Sequence, residues 1–125
     1  MVPKIVRVET VGDPEHLRLV ETPASEPGPD EARIRVHAFA LNRSDIRYMM
    51  GSHYTPLALP SRVGSEASGV VEAVGAEVTA LKAGDRVSSV PFFSREPQRH
   101  GVRGEFAIVP ARYLAPWPDG YSAEE

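Results

Sequence analysis

Glu31-Ala32-Arg33-Ile34-Arg35-Val36-His37-Ala38-Phe39-Ala40 decides the fold. Ala32, Ile34, Val36 and Ala38 face one way; Arg33, Arg35 and His37 face the other. A period of two with one apolar face is a β-strand laid on a core. The segment before it, Pro23 to Asp30, carries three prolines and a glycine and reads as a rigid loop. Further upstream, Leu17-Arg18-Leu19-Val20-Glu21 and Lys4-Ile5-Val6-Arg7-Val8-Glu9 read as two more strands, separated by a turn at Gly12-Asp13-Pro14.

On the other side, Asn42 to Met50 is the best helix candidate. Ile46, Met49 and Met50 fall at i, i+3 and i+4. Asn42 or Ser44 can serve as N-cap, and Gly51 stands where a C′ glycine belongs. Val63 to Val74 is strand-like, and Gly69 inside it predicts a bulge or a close backbone approach. Gly84-Asp85 turns into a strand at Arg86-Val87-Ser88-Ser89-Val90. Residues 91–103 read as a loop, Glu105-Phe106-Ala107-Ile108-Val109 as a last strand, and Pro116-Trp117-Pro118 as a stiff extended segment. Short strands with one or two short helices predict a mainly β domain, a small barrel or sandwich.

The composition agrees. The chain has 125 residues, 12 prolines, 10 glycines and no cysteine. Interior proline costs a helix about 3 kcal/mol, so scattered prolines favour strands and turns. A hydrophobic fraction of 42% supports a packed core. No apolar run approaches the roughly 18 residues that span a bilayer, and the N-terminus lacks a signal-peptide core. Asn42-Arg43-Ser44 matches a glycosylation sequon by chance alone. Without cysteine there is no thiol nucleophile, redox pair or thiolate metal site. A net charge of −3 gives no reason to expect nucleic acid. Acids crowd residues 9–31 and arginines residues 91–103 (Arg95, Arg99, Arg103); these read as two solvated loops.

Familiar site motifs are missing. Gly64 and Gly69 are spaced as in a P-loop, but Val70-Val71 follows in place of Lys and Ser/Thr. No strand–G-x-G-x-x-G–helix unit is present. His16, His37, His53 and His100 lie in separate segments, without zinc-site spacing. Gly64-Ser65-Glu66-Ala67 lacks the second glycine of a nucleophile elbow, so no Ser/His/acid triad is read. What remains is a polar cluster, Asn42, Arg43, Ser44 and Asp45, which helix capping alone also explains. At the C-terminus, Ser122-Ala123-Glu124-Glu125 has the form of a capping box without a helix behind it.

Four runs together resemble a known family. They are Ala40-Leu41-Asn42-Arg43-Ser44-Asp45 with Gly51-Ser52-His53-Tyr54; the G-x-E-x-x-G-x-V-x-x-x-G block Gly64 to Gly75; Leu81-Lys82-Ala83-Gly84-Asp85-Arg86-Val87; and Gly104-Glu105-Phe106-Ala107-Ile108-Val109-Pro110-Ala111. They are similar to the N-terminal GroES-like domain of the medium-chain dehydrogenase/reductase superfamily, in its zinc-independent quinone oxidoreductase (zeta-crystallin-like) branch. The resemblance implies a GroES-like distorted β-barrel over residues 1–121, the catalytic, substrate-side domain. It implies that residues 122–125 begin a helix leading to a Rossmann domain that binds NADPH and is absent from this chain.

The resemblance also implies a site. Asn42 and Asp45 would meet the nicotinamide end of the cofactor; Tyr54, Arg62 and Glu66 would belong to the substrate pocket. Arg62 read plainly is a surface arginine, and Glu66 would orient cleft groups or support Arg43. Arg47 stands where family members often carry an aromatic residue. Zinc-dependent relatives carry Cys and His ligands where this chain has Asn42 and Ser65, and a cysteine-rich lobe near residues 91–103, so no zinc is expected. The implied function is NADPH-dependent hydride transfer to a quinone or activated alkene, with alkenals and enoyl thioesters as related substrates. A cytoplasmic homodimer without nucleic-acid or membrane partners is the matching expectation for the full-length protein. A stand-alone GroES-like binding or assembly module is the alternative.

Overall fold

The computed structural model describes residues 2–52, 59–92, 94, 96 and 98–125. The domain is mainly β, with strands β1 (Lys4–Val8), β2 (Leu17–Glu21), β3 (Glu31–Phe39), β4 (Ser61–Arg62), β5 (Ala67–Val74), β6 (Arg86–Ser89), β7 (Phe106–Pro110) and β8 (Leu114–Pro116). Among the described residues one helix, α1, spans Arg43–Met49, and 3-10 turns lie at Pro14–His16 and Ala111–Tyr113. The strands form two antiparallel sheets, ordered β2-β1-β4 and β7-β3-β5-β6-β8. The sheets do not close into a continuous barrel, in contrast to the barrel expected from the sequence. They are instead stitched together across residues 103–105. There the Val6 N–H donates to Arg103 O at 3.0 Å and the Glu105 N–H to Lys4 O at 2.8 Å.

β3 lies inside the larger sheet, between β7 and β5, and its alternation lays one face on the core. Ala32 and Ile34 are fully buried, and Arg35 and His37 are exposed. Its pairing with β5 shifts register twice, at Arg33/Ile34 and at Val36/Ala38. The second shift lies opposite Gly69, where a Cβ would stand 2.0 Å from Arg35 O. Gly69 therefore does both things foreseen for it: it marks a bulge and permits a backbone approach that no other residue allows.

The main core joins Ile34, Val71, Val87, Val102, Ala107 and Val109. A second cluster, Val8, Met49 and Val63, holds α1 against the smaller sheet. The helix is capped as expected: Asn42 is the N-cap, and Gly51 follows the Met50 C-cap with φ +74°. Its buried face differs from the expected one. Asp45, Tyr48 and Met49 point inward, whereas Ile46 and Met50 are 47% and 53% exposed. A buried ion pair at Asp45, described below, and the packing of Met49 on Val8 and Val63 both lie on this face. A strand the sequence reading did not include, β8, pairs with β6 and ends at Pro116, where the segment expected to be extended begins. Residues 122–125 form a turn in which the Glu125 N–H donates to Ser122 O at 3.2 Å.

Candidate functional site

The polar cluster at the start of α1 is a continuous hydrogen-bonded set. Asn42 and Asp45 form a reciprocal capping box. The Asn42 N–H donates to Asp45 Oδ2 at 3.2 Å, and Asn42 Nδ2 donates to Ser65 Oγ at 3.4 Å. Ser65 Oγ donates in turn to Asp45 Oδ1 at 3.2 Å. Arg103 closes the set, its Nη2 donating to Asp45 Oδ2 at 3.1 Å. Asp45 and Ser65 are each 2% exposed and Arg103 6%, so the cluster meets its hydrogen bonds within the fold, except at Arg103 Nε, which has no partner. Asn42 is half-buried and brings the cluster to the surface.

Charge in this region is paired across the sequence. Arg99 and Arg103 do not form a solvated basic loop, as the sequence suggested. Arg103 takes Asp45, and Arg99 takes Glu31 from the acidic stretch, with Nη2–Oε1 at 2.5 Å. Opposed runs of charge were the available signal. What hid the pairing was the absence of any sequence rule for which acid meets which arginine. Glu31 also accepts from the Gly28 N–H and from His100 Nε2. Burial raises the Glu31 pKa, but bonds from Arg99, His100 and Gly28 outweigh it and lower it to about 2.

The expected substrate-pocket residues separate. Glu66 lines an open pocket of about 300 Å³ with Phe39, Ala40, Ser68, Ser88 and Ser89. Ser68 Oγ donates to Ala123 O there, so the C-terminal turn forms part of the wall. The Glu66 carboxylate has no hydrogen-bond or ion partner among the described residues, and does not support Arg43. Arg62 instead borders a small cavity of about 30 Å³ with Asp45, Tyr48 and His100. It is not a surface arginine: it is 4% exposed, with Nη2 donating to Phe106 O at 2.6 Å and the guanidinium 4.8 Å over the Phe106 ring. Burial lowers its pKa to about 10. Tyr54 lies outside the described residues.

As a metal site, the cluster offers an amide and a hydroxyl already committed to each other and to Asp45, which is a poor donor set for zinc. Among the described residues, no group of three or more His, Asp or Glu is placed to hold a metal ion. Among the described residues, no helix is long and apolar enough to cross a membrane.

Residues 28–119 match the family model of the alcohol dehydrogenase GroES-like domain. The chain is 38% identical over 122 residues to a quinone oxidoreductase of Pseudomonas aeruginosa, covering 98% of this chain and 35% of that protein. It is 36% identical to a sorbitol dehydrogenase of Gallus gallus, covering 90% of this chain and 32% of that protein. Among solved structures, the Escherichia coli quinone oxidoreductase complexed with NADPH aligns with a TM-score of 0.83 at 30% identity, covering 97% of this chain and 35% of that one. The chain thus spans about a third of the length of the relatives it matches.

Proposed function

The chain belongs to the alcohol dehydrogenase GroES-like domain family, and from that premise we propose that it is the substrate-side domain of a zinc-independent oxidoreductase that delivers hydride from NADPH to a quinone or activated alkene. The observation that carries this reading is the Asn42–Ser65–Asp45 set. Two positions that are zinc ligands in the resembling alcohol dehydrogenases hold an amide and a hydroxyl bonded to each other. An alcohol oxidation that needs a metal-stabilised alkoxide finds no ligands there. A quinone accepts hydride readily, so the protein's task reduces to positioning two partners.

NADPH, when bound, supplies the hydride, and its use is supported by the similarity to an NADPH-complexed quinone oxidoreductase. In this reading residues 1–121 are the catalytic domain and residues 122–125 lead into a Rossmann domain that holds the phosphates and adenine. Asn42, the surface member of its cluster, orients the nicotinamide end through its amide. Asp45 acts behind it, fixing the helix start from a buried position. The open pocket at Glu66 and Ser68 faces the substrate.

The test has two parts. The reading frame that encodes the chain is expected to continue into a glycine-rich βαβ unit. The full protein is expected to oxidise NADPH with a small benzoquinone, followed by absorbance, and Asn42→Ala is expected to slow it by ~10²-fold through misplacement. A frame ending at Glu125 favours the stand-alone binding module. Tight NADPH binding by the 125-residue chain alone, measured by calorimetry, overturns the division of labour.

A further inference from the structure

Ser94, His100 and Glu31 form a hydrogen-bonded relay that neither the capping cluster nor the proposed hydride transfer uses. Ser94 Oγ lies 2.5 Å from His100 Nδ1, and His100 Nε2 bonds Glu31 Oε2. Sixty-nine positions separate His100 from Glu31, so no sequence motif announces the arrangement. Glu31 is itself held by the Arg99 fork and by the Gly28 N–H at 2.8 Å. An ionised carboxylate only accepts, so Glu31 takes an N–H from His100 Nε2, and Nδ1 is the ring nitrogen turned to Ser94. Ser94 Oγ already accepts the Glu96 N–H at 2.8 Å. With the Nε2–H tautomer of His100, the Ser94 hydroxyl donates to Nδ1.

The surroundings suit a reacting centre. His100 and Glu31 are buried while Ser94 is half-exposed. Ser94 and His100 border a pocket of about 230 Å³ that Phe92, Arg112 and Tyr113 also line. The Phe92 and Tyr113 rings stack at 5.0 Å and 16°, making a flat apolar wall. Arg112, its guanidinium 4.5 Å over Tyr113, gives the pocket lining a cation. A loop fastening needs only Glu31 and Arg99; it does not need a hydroxyl held on the far imidazole nitrogen.

We propose that Ser94 is a nucleophile, activated by His100 and oriented through Glu31, that accepts acyl groups from activated aryl esters. Ser94 Oγ attacks the ester carbonyl carbon and passes its proton to His100 Nδ1. The bond from carbonyl carbon to aryl oxygen breaks, and the phenol leaves with that proton. Water, deprotonated by His100, then releases the carboxylic acid and regenerates Ser94. No oxidant or further reactant is consumed.

The experiment treats the 125-residue chain with p-nitrophenyl acetate, following nitrophenol release, and maps the acetyl group by peptide mass spectrometry. A fluorophosphonate probe is applied in parallel. Both labels are expected on Ser94 in preference to the other serines. Ser94→Ala is expected to reduce nitrophenol release to that of buffer, and His100→Gln to slow it by about 10²–10⁴-fold while the circular dichroism of the fold is kept. Labels spread over many serines, or equal release by Ser94→Ala and the unaltered chain, overturn the proposal. Should His100→Gln fail to fold, the Ser94→Ala comparison and the map of the fluorophosphonate label decide the matter alone.

Discussion

Arg62 and Arg103 are both buried, at 4% and 6% exposure, yet they are held in opposite ways. Arg103 meets a buried carboxylate, Asp45, at 3.1 Å. Arg62 has no carboxylate within ion-pair distance among the described residues; it has the Phe106 carbonyl and the face of the Phe106 ring. The pKa of Arg62 falls because burial penalises its charge with no nearby anion to offset that penalty. A buried pair is costly to break because the remaining partner is stranded, whereas a lone buried cation is already close to that condition. The two arginines should therefore answer differently to substitution.

The largest effect is expected at the pair. Asp45→Ala leaves Arg103 uncompensated and also removes the α1 capping contact, so unfolding stability should drop by about 3–5 kcal/mol. Chemical denaturation measures it, and adding Arg103→Met to the same chain should recover part of the loss. A loss below about 1 kcal/mol would show that Asp45 and Arg103 do not depend on each other.

A third charge, Glu31, sharpens the comparison through pH. Its pKa is lowered from 4.5 to about 2 in the folded chain. The stabilisation is fully present above the unfolded value and is lost as pH falls through the folded value. It is worth up to about 3 kcal/mol, from 1.36 kcal/mol per pKa unit. The melting temperature should fall between about pH 5 and pH 2, and Glu31→Gln should flatten the Glu31 share of that fall. An unchanged acid limb in Glu31→Gln would place the stabilisation elsewhere.

The smallest effect is expected at Arg62. Arg62→Met gives up one hydrogen bond to Phe106 O, worth about 1 kcal/mol, but removes the desolvation of an unpaired charge. Net stability should change by less than about 1 kcal/mol in either direction. A loss as large as that of Asp45→Ala would erase the distinction between the two arginines.

Local features were legible in the chain. The β3 alternation, the Asn42 and Gly51 caps and the bulge at Gly69 each follow from dihedral and packing rules acting over a few residues. The family was legible as well, because its glycines and capping residues sit at fixed spacings. The inward face of α1 was legible only in part: apolar periodicity pointed to Ile46, Met49 and Met50, and the structure turns Asp45, Tyr48 and Met49 inward. Strand β8 was missed because its three residues, Leu114–Pro116, are too few to show an alternation; as an edge strand it tolerates the closing proline.

By itself the sequence determined a mainly β domain, its one capped helix and the family whose motifs it carries. Those follow from backbone preferences and short-range patterns. Only the tertiary structure decided which acid each arginine meets, that Arg62 and Glu66 line different cavities, and that Ser94, His100 and Glu31 touch. These depend on contacts across tens of residues. Partners there are chosen by how two sheets and a long loop pack together, and by the need to satisfy charges that packing removes from water.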